Sequence, residues 1–203
     1  MTEIDRAISQ IGEIHEHLAR TEVCREIRAV PVAVAGVLGL LAAALQPRLQ
    51  AQGTEIGFVL YWAAVAGICL AVGSAGILLN YLRQSSDWAR RQTRIVVGQF
   101  LPSFVAGVLV TLAVTKSESL SVSLLPGLWA CLFSLGIFAA RPYLPRIIGW
   151  VGLYYLLAGA VLLATAAPGA SPSPWEIGLT FGFGQLVSAI VLYYDLERNR
   201  MVS

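Results

Sequence analysis

Charged side chains in this sequence gather at its ends and in the gaps between six apolar runs, at about residues 29–45, 56–82, 95–115, 124–140, 147–167 and 175–194. The one charge inside a run is Glu176, second residue of the last. A helix needs ~20 residues to cross the ~30 Å hydrocarbon core of a bilayer, so each run reads as a membrane span. The first, with 17 residues, reaches about 26 Å, and Arg28 can snorkel to the interface to close the shortfall. Composition agrees: 13% of residues are charged and 57% hydrophobic, where a soluble domain carries about a quarter charged. Mean hydropathy is +0.70. A membrane β-barrel is excluded, because its strands alternate polar and apolar residues and these runs are apolar on every face. The expected fold is all-α and polytopic, with six transmembrane helices in three antiparallel hairpins.

Local signals set the boundaries. Pro31 suits the first turn of a helix, where its missing N–H is not needed, and Gln46-Pro47-Arg48 is expected to end the first span. Gly67, Gly73 and Gly76 offer notches along the second. The stretch 83–94 reads as the most basic loop, with Arg83, Arg90, Arg91 and Arg94 around Trp88. Pro102 should kink the third span, which a membrane helix tolerates. Lys116–Ser123 reads as a polar turn. Pro142 and Pro145 should hold residues 141–146 extended, and residues 168–174 form a loop rich in proline and serine.

Residues 1–28 carry ten charged side chains and are not read as a signal peptide. They read instead as an amphipathic cytoplasmic helix, with Ile4, Ile8, Ile11, His15 and Leu18 on one stripe and Glu3, Arg6, Glu13, Glu16 and Arg20 opposite. Twelve of the 14 Lys and Arg residues fall in the N-terminal segment, the 83–94 stretch, the 141–146 turn and the tail; only Arg48 and Lys116 fall on the other side. By the positive-inside rule both termini are expected in the cytoplasm. The short loops and thirteen Arg to one Lys suggest a plasma membrane of bacterial inner-membrane type.

Spans one, three and five each contain an Ala-Gly step, at Gly36, Gly107 and Gly159. Residues 35–44 and 106–115 match at six of ten positions, so a weak threefold repeat is one reading and chance among Ala, Gly, Val and Leu is the other. On either reading these glycines are expected to be packing points, because a small residue lets helix backbones touch where no hydrophobic effect drives association.

The spans offer little for catalysis. Charged groups at membrane depth usually mark ion paths or active sites, and the nearest here are Glu176 and Asp195, at the two ends of the last span. His15 and His17 are the only histidines, both in the N-terminal segment, so no pair of span histidines can ligate a haem. Cys24, Cys69 and Cys131 lie far apart and form neither a zinc pattern nor a disulfide framework. Ser103, Ser134 and Ser188 have no base near them in the spans. No catalytic, metal or cofactor residue is therefore assigned. Gln99, Gln185 and Asn80 are candidates for interhelical hydrogen bonds or a polar notch. Arg83, Trp88, Arg90, Arg91 and Arg94 are candidates for contact with anionic lipid headgroups, each Arg contributing ~1 kcal/mol, or with the six carboxylates of residues 3–26. The expected function is that of a scaffold or regulatory subunit docking a protein partner at the cytoplasmic face. The alternative is a small transporter or channel for a neutral or lipid-like solute, working as a homo-oligomer. Nucleic acid is not an expected partner.

Overall fold

The structure is a computed structural model that describes the backbone of residues 29–49, 54–83, 87–117, 119–144, 147–167 and 169–194, with side chains except at 76–93. The expected amphipathic segment 1–28, the tail 195–203 and the side chains of Asn80, Arg83, Trp88, Arg90 and Arg91 lie outside the described residues.

Six helices are long and apolar enough to cross a membrane. They are α1 (Ala29–Leu49), α2 (Glu55–Arg83), α3 (Asp87–Lys116), α4 (Leu125–Ala140, lengthened to Val122–Tyr143 by a 3-10 turn at each end), α5 (Ile148–Thr165) and α6 (Pro174–Leu192). The chain is all-helical across the described residues.

Three boundaries differ from the expectations. First, α1 does not stop at Gln46-Pro47-Arg48 but runs through Pro47 to Leu49. The last four carbonyls of a helix lack partners in any case, and the Gln46 side chain, buried, accepts from Trp62 Nε1 at 2.8 Å, pinning that turn to α2. Second, residues 87–94 are helical rather than loop, as the first turns of α3. Asp87 suits a helix start, and no Gly or Pro interrupts the stretch that follows until Gly98. Third, Pro142 sits in a 3-10 turn, Arg141–Tyr143, and of the described residues 141–144 only Leu144, before Pro145, is extended, at φ −115° and ψ 159°. A proline restricts the residue ahead of it more than its own compatibility with a tight turn.

Contacts run around the bundle. The most extensive are α4 with α5, α3 with α4, α1 with α6 and α1 with α2, while among the described residues α2 and α3 touch only marginally. None of the most apolar stretch of α3 is buried in the protein, against half of that in α4. Among the described residues, the least closed contact between neighbours in the ring of helices is thus that of α2 with α3.

Glycine decides how closely the other pairs approach. A Cβ at Gly36 would meet the Gly182 carbonyl oxygen at 2.8 Å and the Leu186 side chain at 2.9 Å, and Gly178 sits directly on Ala43. On α4 and α5, a Cβ at Gly159 would lie 2.9 Å from the Gly127 oxygen, and one at Gly127 would lie 2.9 Å from the Gly159 oxygen. Backbones in contact give dispersion that larger side chains would forfeit. At Gly107, Gly67 and Gly73 a Cβ would meet nothing within 4 Å. The three Ala-Gly positions are thus packed differently, Gly36 and Gly159 against neighbouring backbone and Gly107 in open space.

Two apolar clusters fill the interior. One gathers Ala29, Ile137, Ala140, Leu144, Ile148, Val151, Tyr155 and Leu192; the other gathers Ala42, Ala43, Phe58, Val59, Trp62, Val114, Leu125 and Ile177.

Candidate functional site

The polar residues singled out from sequence are not joined. Gln99 is exposed on α3, Gln185 is half-buried on α6, and neither has a hydrogen-bond partner among the described residues. Arg94 is exposed near the start of the membrane-crossing part of α3. Of the described charged residues, Arg48, Glu55, Lys116, Arg141 and Glu176 stand within a turn of a helix end, and Arg94 two turns into α3. Among the described residues no group of three or more His, Cys, Asp or Glu comes together.

Interior hydrogen bonds come from other side chains. Tyr61 donates to the Ala42 carbonyl at 2.7 Å, beside the Gln46–Trp62 bond. Ser134, fully buried, donates to the Gly152 carbonyl at 2.7 Å. Trp129 Nε1 donates to Thr111 Oγ1 at 2.8 Å, and Thr111 donates to the Gly107 carbonyl at 2.7 Å. Each uses a neutral group to satisfy another, and each contributes about 0.6–2 kcal/mol.

The most unusual local structure is in α6. Ser173 caps its start, its hydroxyl accepting from the Trp175 N–H at 3.4 Å. After one α-helical turn the chain widens into a π-helical segment, Gly178–Phe183, before returning to α geometry over Gly184–Leu192. Such segments are rare and recur at functional positions. The sequence here, Gly-Leu-Thr-Phe-Gly-Phe-Gly, is poor in helix formers. Glycine carries a propensity cost of about 1 kcal/mol against Ala, so the α register is weakly held from within.

Two adjacent tyrosines of α5 face this segment. Tyr154 donates to the carbonyls of Leu179 at 3.4 Å and Thr180 at 3.3 Å, and Tyr155 to that of Phe181 at 3.4 Å. A Cβ at Gly184 would collide with the Tyr155 ring and hydroxyl, so only glycine fits there. Tyr155 is completely buried, its ring edge-on to Phe133 at 4.8 Å and tilted against Phe181 at 5.4 Å. Phe100 of α3 extends the cluster, 5.8 Å from Phe133. The site offers hydroxyls, carbonyls and aromatic faces, which suit hydrogen bonding and packing.

Sequence reasoning did not single out Tyr154 and Tyr155. The signal for them is a Tyr-Tyr step in the interior of an apolar run, away from the interfaces where Tyr is ordinarily enriched, together with Gly178, Gly182 and Gly184 in the next span. Neither feature says that the two face each other.

No protein-family model, curated protein or solved structure matches this chain.

Proposed function

We propose that this chain is a scaffold or regulatory subunit of a plasma membrane, with both termini in the cytoplasm, that docks a protein partner through residues 3–28 and 83–94. The observation that carries the reading is the uneven packing of the bundle. Four helices close on one another, α1 with α6 and α4 with α5, at backbone-to-backbone glycine contacts. By contrast, among the described residues α2 and α3 barely touch, and the apolar stretches of these two helices are the least buried of the six, with Leu60, Ile68, Leu70, Leu101, Phe104, Val105, Val108 and Leu109 exposed. The basic stretch 83–94 joins these two under-packed helices, so the cytoplasmic and intramembrane surfaces free for a partner are continuous.

The competing reading, a transporter or channel for a neutral or lipid-like solute, is less favoured because Phe133, Tyr155 and Phe181 occupy the interior between α4, α5 and α6. The antiparallel hairpin arrangement is part of the same proposal. It is supported by the cluster around Trp62, which draws on the C-terminal parts of α1 and α3 and the N-terminal parts of α2 and α6. Anionic lipid around Arg83, Trp88, Arg90, Arg91 and Arg94 is compatible with it.

The test is purification from native membranes in mild detergent, with and without residues 1–26, beside reconstitution into vesicles. A stoichiometric companion retained by the full chain and lost from the truncated one, with the bundle still folded, is the expected result. Absence of any companion together with solute flux across the vesicle membrane would replace the proposal by the transport reading.

A further inference from the structure

Each buried serine or threonine hydroxyl among the described residues donates to a carbonyl, with one departure. Buried Ser188, like the more exposed Thr111, Thr115 and Thr165, donates to the carbonyl four residues earlier, at 2.7 to 2.9 Å. Buried Ser123 and Ser134 donate to carbonyls of α5 and the residues after it. Thr180 is buried to the same degree, yet its hydroxyl has no hydrogen-bond partner among the described residues. A buried polar group without a partner is uncommon and calls for a physical reason. Thr180 lies in the middle of the π-helical segment of α6. Widening the turn moves the carbonyl of Glu176, four residues earlier, out of the place where a helical threonine finds it.

The bonds that hold the wide segment are also long. The contacts from Tyr154 and Tyr155 measure 3.3 to 3.4 Å, whereas the interhelical hydroxyl bonds of Tyr61 and Ser134 measure 2.7 Å. A hydroxyl bond is strongest near 2.7–2.8 Å. The wide form is thus held by weak external bonds, and the narrow α form has a bond of its own waiting at Thr180.

We infer that Gly178–Phe183 is a register switch in α6, latched in its wide form by the hydroxyls of Tyr154 and Tyr155 and favoured in its narrow form by a bond from Thr180 to the Glu176 carbonyl. Returning the segment to α geometry removes the extra residue from one turn. The half of α6 from Gly184 to Leu192 then turns by about 100° and shifts by about 1.5 Å along the axis. Gln185 takes the place of Leu186 opposite Gly36, which brings an amide onto the α1–α6 contact. One-residue shifts of this kind are a recognised way for packed helices to change between discrete settings. The inference does not depend on the docking proposal, because it concerns only α5 and α6.

The test is NMR of the full chain in lipid nanodiscs, read as through-space contacts from the Gly36 Hα protons. The unaltered protein should show them to the Leu186 side chain. Removing both latch hydroxyls, as Tyr154→Phe with Tyr155→Phe, should weaken those contacts several-fold and bring up contacts to the Gln185 side-chain amide. Tyr154→Phe alone, whose ring is only partly buried, should give a smaller change of the same kind and serves if the double variant does not fold. Adding Thr180→Val should restore the Leu186 contacts, because it removes the bond that only the narrow form makes. Unchanged Gly36 contacts in the tyrosine variants would overturn the inference. So would loss of the Leu186 contacts with no Gln185 contact in their place, which marks a packing role, or a Gln185 contact that Thr180→Val leaves in full.

Discussion

Gly159→Ala and Gly107→Ala form the sharpest test of how this bundle is held. The two glycines look alike in sequence, each following an alanine in an odd-numbered span. In the structure a methyl at 159 would lie 2.6 Å from Cys131 Sγ, 2.9 Å from the Gly127 carbonyl oxygen and 3.0 Å from the Cys131 nitrogen. Two of those three atoms are backbone and cannot turn aside, so α4 and α5 must part by about 0.5 Å, which forfeits about a quarter of the dispersion in each close contact along the interface. With the strain of overpacking, the expected cost is about 1–3 kcal/mol. At Gly107 the same methyl meets nothing within 4 Å. There the substitution restricts the unfolded chain and improves helix propensity, so it should be neutral or stabilising by up to about 1 kcal/mol. The assay is reversible unfolding in mixed micelles, followed by far-UV circular dichroism as denaturing detergent is increased. Equal shifts for the two variants, within about 0.5 kcal/mol, would refute the argument that backbone contact at Gly159, rather than the Ala-Gly step itself, carries the stability.

Ser134→Ala removes a fully buried bond to the Gly152 carbonyl and should cost about 0.6–2 kcal/mol in the same unfolding measurement. A loss under that range would mean the bond does not form in the membrane. Trp62→Phe keeps most of the packing around Phe58 and Tyr61 but removes the donor that Gln46 accepts from, with an expected cost of about 1–3 kcal/mol. A double-mutant cycle with Gln46→Leu should show coupling of about 1 kcal/mol; strict additivity would show that the two side chains do not meet.

Much of the architecture was legible before any coordinates. The positions of the six spans follow from where charge is absent, since a charge at membrane depth is expensive and a span cannot shift by more than a few residues without burying one. The errors lay at the ends. Local propensity ends the helix at Pro47, and the density of charge makes a loop of 87–94; the structure continues the helix at both. Gln46 holds the last turn of α1 through a bond to Trp62, 16 residues away, which no local rule can supply. For the candidate site the reading was weaker. Gln99, Gln185 and Asn80 were chosen because amides are the most polar groups in the spans. The hydrogen bonds that join α5 to α6 come instead from Tyr154 and Tyr155, residues ordinarily assigned to interfaces.

Hydropathy and charge by themselves determine that this chain is a six-span helical membrane protein, because the bilayer sets both the length and the polarity each span must have. They cannot decide which helices touch. Inside lipid, all apolar faces are nearly equivalent, and helix partners are chosen by shape and by the few polar groups that find one another. Tertiary structure alone therefore separated Gly36 and Gly159, packed against backbone, from Gly107 in open space. Among the described residues it also left α2 and α3 in marginal contact, and it set two tyrosines against a segment of α6 whose helical register is wide.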